Sequence, residues 1–278
     1  MGALSYLKVE GIGNDFLLVD RLSLGPDELG EELGQLAQRA PALCDRDSGI
    51  GADGILVVTA GTDGAPARMI VINHDGSRPE MCGNGLRCVA HYVADRLELG
   101  ERAFDVLTDA GALRCAVLER QDDAHADVSV DMGPARFGET KTPPAAEGRR
   151  FVDVSMGNPH TIAFVGPDED PEQLARGLGP AIEVDPLYPD RTNVEFARVN
   201  DDGSLTLWVW ERGCGITLAC GTGACATAAA AVAAGHLEAE TWIPVHLPGG
   251  TLRIRVPAEP GAGVQMQGPS AHGPHGEA

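Results

Sequence analysis

A weak internal repeat constrains this chain more than any other feature. Cys82 and Cys220 lie 138 positions apart, in Met-Cys-Gly-Asn-Gly (81–85) and Ala-Cys-Gly-Thr-Gly (219–223). Asn73 and Glu211, each closing an apolar run, show the same separation, and Gly13-Asn14-Asp15 is answered by Gly157-Asn158-Pro159. An order of Asn turn, strand, Cys-Gly-x-Gly and helix that occurs twice predicts two domains of one build.

Periodicity fills in the elements. β-rich runs at 7–10, 16–20, 55–59 and 69–73 precede a helix that starts after Gly85 and stops at Gly100, with another helix over 26–39. Strands follow at 104–108 and 113–118, and the charged stretch 121–127 reads as a crossover between domains. In the second half, strands are expected at 151–154, 161–165, 194–199, 205–210, 242–247 and 252–256. An Ala-rich helix over 222–234, stopped by Gly235, lies among them. The composition of Pro269–Ala278 reads as a fraying end.

Charge and composition exclude several classes. A net charge of −20 argues against nucleic acid and against an anionic membrane surface. No apolar run reaches the ~20 residues a spanning helix needs, and no secretory core opens the chain, so the expected location is cytoplasmic. Lys8 and Lys141 are the only lysines, and neither is placed for the Schiff base of a pyridoxal-phosphate enzyme. Seven cysteines without export signals or zinc-type spacing argue against a disulfide scaffold and against a metal centre. Cys44, Cys88, Cys115, Cys214 and Cys225 are expected to be small buried residues.

Cys82 and Cys220 need a different account. Each stands where a strand ends and a helix begins, and the partial positive charge of a helix start favours thiolate and lowers a thiol pKa. The amides of Gly83, Asn84, Gly221 and Thr222 are candidate donors to a substrate carboxylate. Two such turns related by pseudo-twofold symmetry would set one sulfur on each side of an α-carbon. One thiolate would then remove a proton while the opposite thiol delivers another. Inverting a stereocentre of a fixed substrate needs this arrangement.

The ordered motifs resemble the diaminopimelate epimerase family. They are Gly-Ile-Gly-Asn-Asp-Phe (11–16), Gly-Ile-Gly-Ala-Asp-Gly (49–54), Asn73 with Asp75-Gly76-Ser77, and Cys-Gly-Asn-Gly-Leu-Arg-Cys (82–88). Gly-Asn-Pro-His (157–160), Asn193, Glu211-Arg212-Gly213 and Ala-Cys-Gly-Thr-Gly-Ala-Cys (219–225) complete the set. The resemblance implies an α+β fold of two pseudo-symmetric domains. Each is a mixed, mainly antiparallel sheet or barrel around a central helix, with the active site in the cleft between them. The implied domains are 1–124 plus 265–278, the latter returning as a strand, and 125–264. It implies cofactor-independent conversion of LL- to meso-diaminopimelate in lysine and peptidoglycan biosynthesis, with Cys82 and Cys220 as the acid/base pair. Asn14, Asn73, Asn158, Asn193, Glu211 and Arg212 match its substrate-binding positions, and the turns Gly83-Asn84 and Gly221-Thr222 its α-carboxylate donors. The resemblance also implies an auxiliary role for His160, with Glu211, in orienting or polarising the thiols, and relatives suggest a homodimer.

The residues themselves agree with parts of this. Arg212 offers a planar fork for a distal carboxylate, and Asn amides both donate and accept. Two departures stand out: Gly54 sits where some relatives carry a substrate-contacting Gln, and Ile216 where a Glu is common. A racemase or epimerase of proline or hydroxyproline shares the paired-thiol chemistry and stays open as an alternative. So does a dithiol redox or metal-binding protein without turnover.

Overall fold

The computed structural model describes residues 3–100 and 102–278, and the chain packs into two compact units. Unit 1 is Met1–Val130 with Gly268–Ala278, and unit 2 is Asp131–Gln267.

Unit 1 begins with strands β1 (Ser5–Gly11) and β2 (Asn14–Arg21), then helix α1 (Pro26–Cys44), β3 (Gly54–Ala60) and β4 (Ala67–Asn73). Helix α2 (Gly83–Arg96) follows, then β5 (Phe104–Thr108), β6 (Gly111–Arg120) and β7 (His125–Asp131). Pairs β2–β3 and β4–β5 are parallel, as their helical crossovers require, and the hairpins β1–β2, β3–β4, β5–β6 and β6–β7 are antiparallel. β2 and β3 read as continuous apolar runs because both faces are covered. Leu17, Val19, Ile55 and Val57 pack with Leu36 and Ala40 of α1. α2 packs on β1, β2, β3, β4 and β6, with Leu86, Cys88, Val89 and Val93 fully buried.

Unit 2 repeats the plan: β8 (Arg136–Lys141), β9 (Phe151–Ser155), β10 (Pro159–Phe164), helix α3 (Pro171–Glu183), β11 (Asn193–Val199) and β12 (Leu205–Glu211). A short β13 (Gly215–Ile216), helix α4 (Gly221–Ala233), β14 (Trp242–Leu247) and β15 (Gly250–Arg255) follow. Again two pairs are parallel, β10–β11 and β12–β14, each bridged by a helix. α4 packs on β9, β10, β11, β12, β14 and β15, and residues 224–231 are all buried. Alanine both favours helix and is small enough to let strands close around it. The chain is thus a mixed α+β protein of two similar units, each wrapping a sheet around a central helix.

Two expectations are corrected, and one helix is unexpected. The stretch 121–127 is no crossover: it forms the β6–β7 hairpin turn, closed by Gln121 N–H to His125 O, and the first residues of β7. Pro269–Ala278 does not fray, because β16 (Gln265–Glu277) gains order by pairing with β1 from Ser5 opposite Glu277 to Glu10 opposite Ala271. α3, absent from the sequence reading, is capped by Asp170, whose side chain accepts from Glu172 N–H.

Candidate active site

In unit 1 the polar residues gather at the start of α2. Cys82 is the N-cap, extended at φ −138°, and its Sγ accepts from Gly85 N–H at 3.5 Å. Asn84, 2% exposed, donates from Nδ2 to Asn14 Oδ1 at 3.4 Å. Asn14 in turn donates to Asp53 Oδ2 at 2.5 Å, and Arg46 bridges Asp53 and Asp15. Asn14 follows a tight hairpin turn in which Ile12 (φ 49°) and Gly13 (φ 80°) are both left-handed. A β-branched residue there is strained, and such strain concentrates at functional sites.

Asn73 stands at the end of β4, next to His74, whose N–H donates to the Asp53 carbonyl at 3.1 Å. Asn73 Nδ2 donates to Ser77 Oγ at 2.9 Å and its backbone pairs with Gly54. A Cβ on Gly54 would lie 2.6 Å from the Ile72 carbonyl oxygen. The backbone as it stands has no room for the Gln of some relatives.

In unit 2 the corresponding group is denser. Cys220 is the N-cap of α4, 5% exposed, and its Sγ accepts from Gly223 N–H at 3.3 Å. Thr222 Oγ1 lies 3.6 Å from that sulfur and receives Asn158 Nδ2–H at 3.3 Å. His160 Nε2 is 3.0 Å from Asn158 Oδ1, and its Nδ1 is 2.6 Å from Glu195 Oε1. Glu211 accepts from the Thr217 hydroxyl. Gly83, Asn84, Gly221 and Thr222 are the first two residues of their helices, so the helices supply no acceptor for their N–H groups.

The expected acidity of Cys220 is reversed. Burial, then the carboxyls of Glu211 and Glu195, raise its thiol well above the ordinary range, against the pull of the helix start. Burial likewise raises both Glu195 and Glu211, so the group holds protons tightly. Among the remaining cysteines, burial pushes Cys44 up to about 11 and Cys88 to about 12, and Cys225 is buried too. Cys115 is also buried, whereas Cys214 is exposed, contrary to its expected burial.

Asn193 and Arg212 form a third group. Asn193 Oδ1 accepts from Arg212 N–H at 2.9 Å, and its Nδ2 donates to Pro159 O at 2.7 Å. The Arg212 side chain is exposed, with Nη1 on Asp190 O at 3.1 Å. Glu183 anchors the same turn, accepting from Gly213 N–H at 2.6 Å and Trp210 Nε1–H at 2.8 Å. Asp53, Glu183 and Glu195 escaped the sequence reading. Glu195 had a signal, a lone acid between Val194 and Phe196 in a buried run.

A family model described as "Diaminopimelate epimerase" matches residues 6–138 and 152–272. The diaminopimelate epimerase of Desulfitobacterium hafniense is 42% identical over 96% of this chain and 95% of its own. That of Synechocystis is 41% identical over 96% of each chain. Among solved structures, a hydroxyproline epimerase from Agrobacterium vitis has a TM-score of 0.71 at 19% identity, covering 99% of this chain and 91% of its own. A probable proline racemase from Agrobacterium radiobacter reaches 0.73 at 16%, over 99% and 92%. At such identities these two report the fold alone, whereas the sequence relatives match nearly end to end; the chain belongs to the diaminopimelate epimerase family.

Proposed function

We propose that this chain interconverts LL- and meso-2,6-diaminopimelate by proton transfer between two thiols, without a cofactor. One observation carries the reading: within a family match spanning most of the chain, Cys82 and Cys220 cap equivalent central helices of two similar units. The α-hydrogen of an amino acid is a very weak acid, so charge developing on the carboxylate must meet fixed donors. The amides at 83–84 and 221–222 are candidates, and each well-placed donor is worth ~2.7–4 kcal/mol.

In this reading one sulfur, as thiolate, takes the α-proton while the other thiol gives a proton to the opposite face. The chain ends with thiol and thiolate exchanged, and the reverse reaction restores them. Burial and two carboxyls keep Cys220 protonated at neutral pH, which fits it to donate. Arg212 keeps an exposed guanidinium for the distal carboxylate, while Asn14, Asn73, Asn158, Asn193 and Glu211 orient the second centre and His160 assists.

The same reading places the protein in the cytoplasm, acting on a small molecule rather than on nucleic acid, as a homodimer. No helix among the described residues is long and apolar enough to cross a membrane. The test is an assay with LL-diaminopimelate plus thiol reductant and no added cofactor, beside one with L-proline. Turnover of the first alone, with solvent deuterium appearing at the α-carbon, is expected. Turnover of proline alone would shift the reading to the proline racemases.

A further inference from the structure

The two units differ at one point beneath their cysteines. In unit 1, Phe16 pairs with Gly54 and Leu56 stands two residues further along β3. In unit 2, His160 pairs with Asn193 and Glu195 stands two residues further along β11. A Cβ built on Gly85 would meet the Leu56 side chain, and one built on Gly223 would meet Glu195 Oε1 and Cys220 Sγ. His160 and Glu195 therefore occupy, under α4, the positions that Phe16 and Leu56 occupy under α2. An apolar pair would fill that space, and a fully buried imidazole and carboxyl are costly unless their polar atoms are used.

They are used in a continuous chain. Thr161 N–H donates to Glu195 Oε2 at 3.1 Å, Glu195 Oε1 meets His160 Nδ1, and His160 Nε2 meets Asn158 Oδ1. Asn158 Nδ2 then reaches the Thr222 hydroxyl beside Cys220 Sγ. We propose that Glu195 is a positioning residue that keeps the proton on His160 Nε2, and so holds the Asn158 amide and the Thr222 hydroxyl in register with Cys220.

The logic is one of tautomers, since the partner of one ring nitrogen decides where the other's proton sits. If Glu195 is a carboxylic acid, it donates to Nδ1 and the neutral ring carries its proton on Nε2. If Glu195 is a carboxylate, it accepts from Nδ1–H of an imidazolium, which again carries a proton on Nε2. Both arrangements present Nε2–H to Asn158 Oδ1, whereas a carboxylate facing the Nδ1–H of a neutral ring would leave two lone pairs opposed at the 3.0 Å Nε2–Oδ1 contact. Without the partner at Nδ1 only Asn158 Oδ1 still favours a proton on Nε2, so a share of the rings can carry it on Nδ1 instead, with two lone pairs facing each other at Asn158. The amide would turn over and lose its donor to Thr222.

Glutamine preserves this logic and leucine removes it: the side-chain amide introduced by Glu195→Gln can donate to Nδ1 and still accept from Thr161 N–H. The activity arm rests on the epimerase reading. Glu195→Gln should keep kcat/KM within about threefold, whereas Glu195→Leu should lose roughly ten- to a hundredfold, the span for a hydrogen bond to a charged group. A Leu variant with native activity, or a Gln variant as damaged as Leu, would overturn the proposal. The second arm needs no turnover. Nitrogen-15 NMR of the imidazoles should show His160 protonated on Nε2 in the native protein and in Glu195→Gln, and shifted toward Nδ1 in Glu195→Leu. A native ring bare at Nε2 defeats the proposal even if the Leu variant fails to fold. A protein that turns over no diaminopimelate but shows the expected ring state would instead sink the epimerase reading alone.

Discussion

His91 of α2 and His272 of β16 stack face to face, their ring centroids 3.8 Å apart and their planes 17° from parallel. His91 is fully buried, with Nδ1 3.3 Å from Ser270 Oγ and Nε2 3.4 Å from Asp95 Oδ2. The pair fastens the last strand of unit 1 to its central helix.

That stack predicts acid sensitivity. Burial first, then the His272 ring, depress His91 to about 4, and burial depresses His272 as well, although Asp95 pulls both upward. Arg120, paired with Asp95, and His125 add to the depression. The unfolded chain therefore binds more protons than the folded one between about 6.5 and 4, so stability falls as pH drops through that window and levels off below it. Thermal melts from about pH 7.5 to 4 should show this fall, and His272→Phe should flatten it. An unchanged slope in that variant would remove the stack from the cause.

Replacing either candidate acid/base sulfur by oxygen should separate capping from chemistry. Serine is a strong N-cap, so Cys82→Ser and Cys220→Ser should melt within a few degrees of the native protein. Each should lose epimerisation by at least about a thousandfold, within the range for a positioned acid or base. Substantial turnover in either variant would rule out the two-thiol scheme.

Arg212→Lys keeps the charge but not the fork. Loss of paired, charge-assisted bonds should raise KM for diaminopimelate roughly ten- to a hundredfold while kcat changes little. Steady-state kinetics on both stereoisomers would check this. An unchanged KM would assign the distal carboxylate to another residue.

Gly54→Ala should destabilise unit 1, because its methyl would press on the Ile72 carbonyl at 2.6 Å. Overpacking of this kind costs about 1–3 kcal/mol and should register as a lower urea midpoint. A variant as stable as the native chain would show that β3 and β4 yield easily there, and that a larger side chain is tolerated.

How much of this is legible in the sequence depends on what each segment needs to acquire its shape. β2, β3 and α4 carry their own signal, since an apolar run covered on both faces or a run of alanines reads the same in any context. α3 is masked by Gly177, Gly179 and Pro180. Gly179 is there for packing: a Cβ would lie 2.6 Å from that of Trp210, which comes from β12. β16 takes its order from a partner at the far end of the chain. The cysteines themselves are visible through the repeat. The basicity of Cys220 is not, because it depends first on burial and then on carboxyls from β12 and β11 that only the fold brings near.

The route of β16 also bears on how the chain matures during synthesis. Gln265–Gln267 lie in unit 2, whose residues form one unbroken stretch, while residues from Gly268 onward belong to unit 1, where they pair with β1. Translation delivers everything that unit 2 needs before it delivers the partner of β1. The earlier-made unit is therefore the later to be finished, and a ribosome that stalls just short of Gly268 would expose a bare β1 edge open to a neighbouring nascent chain.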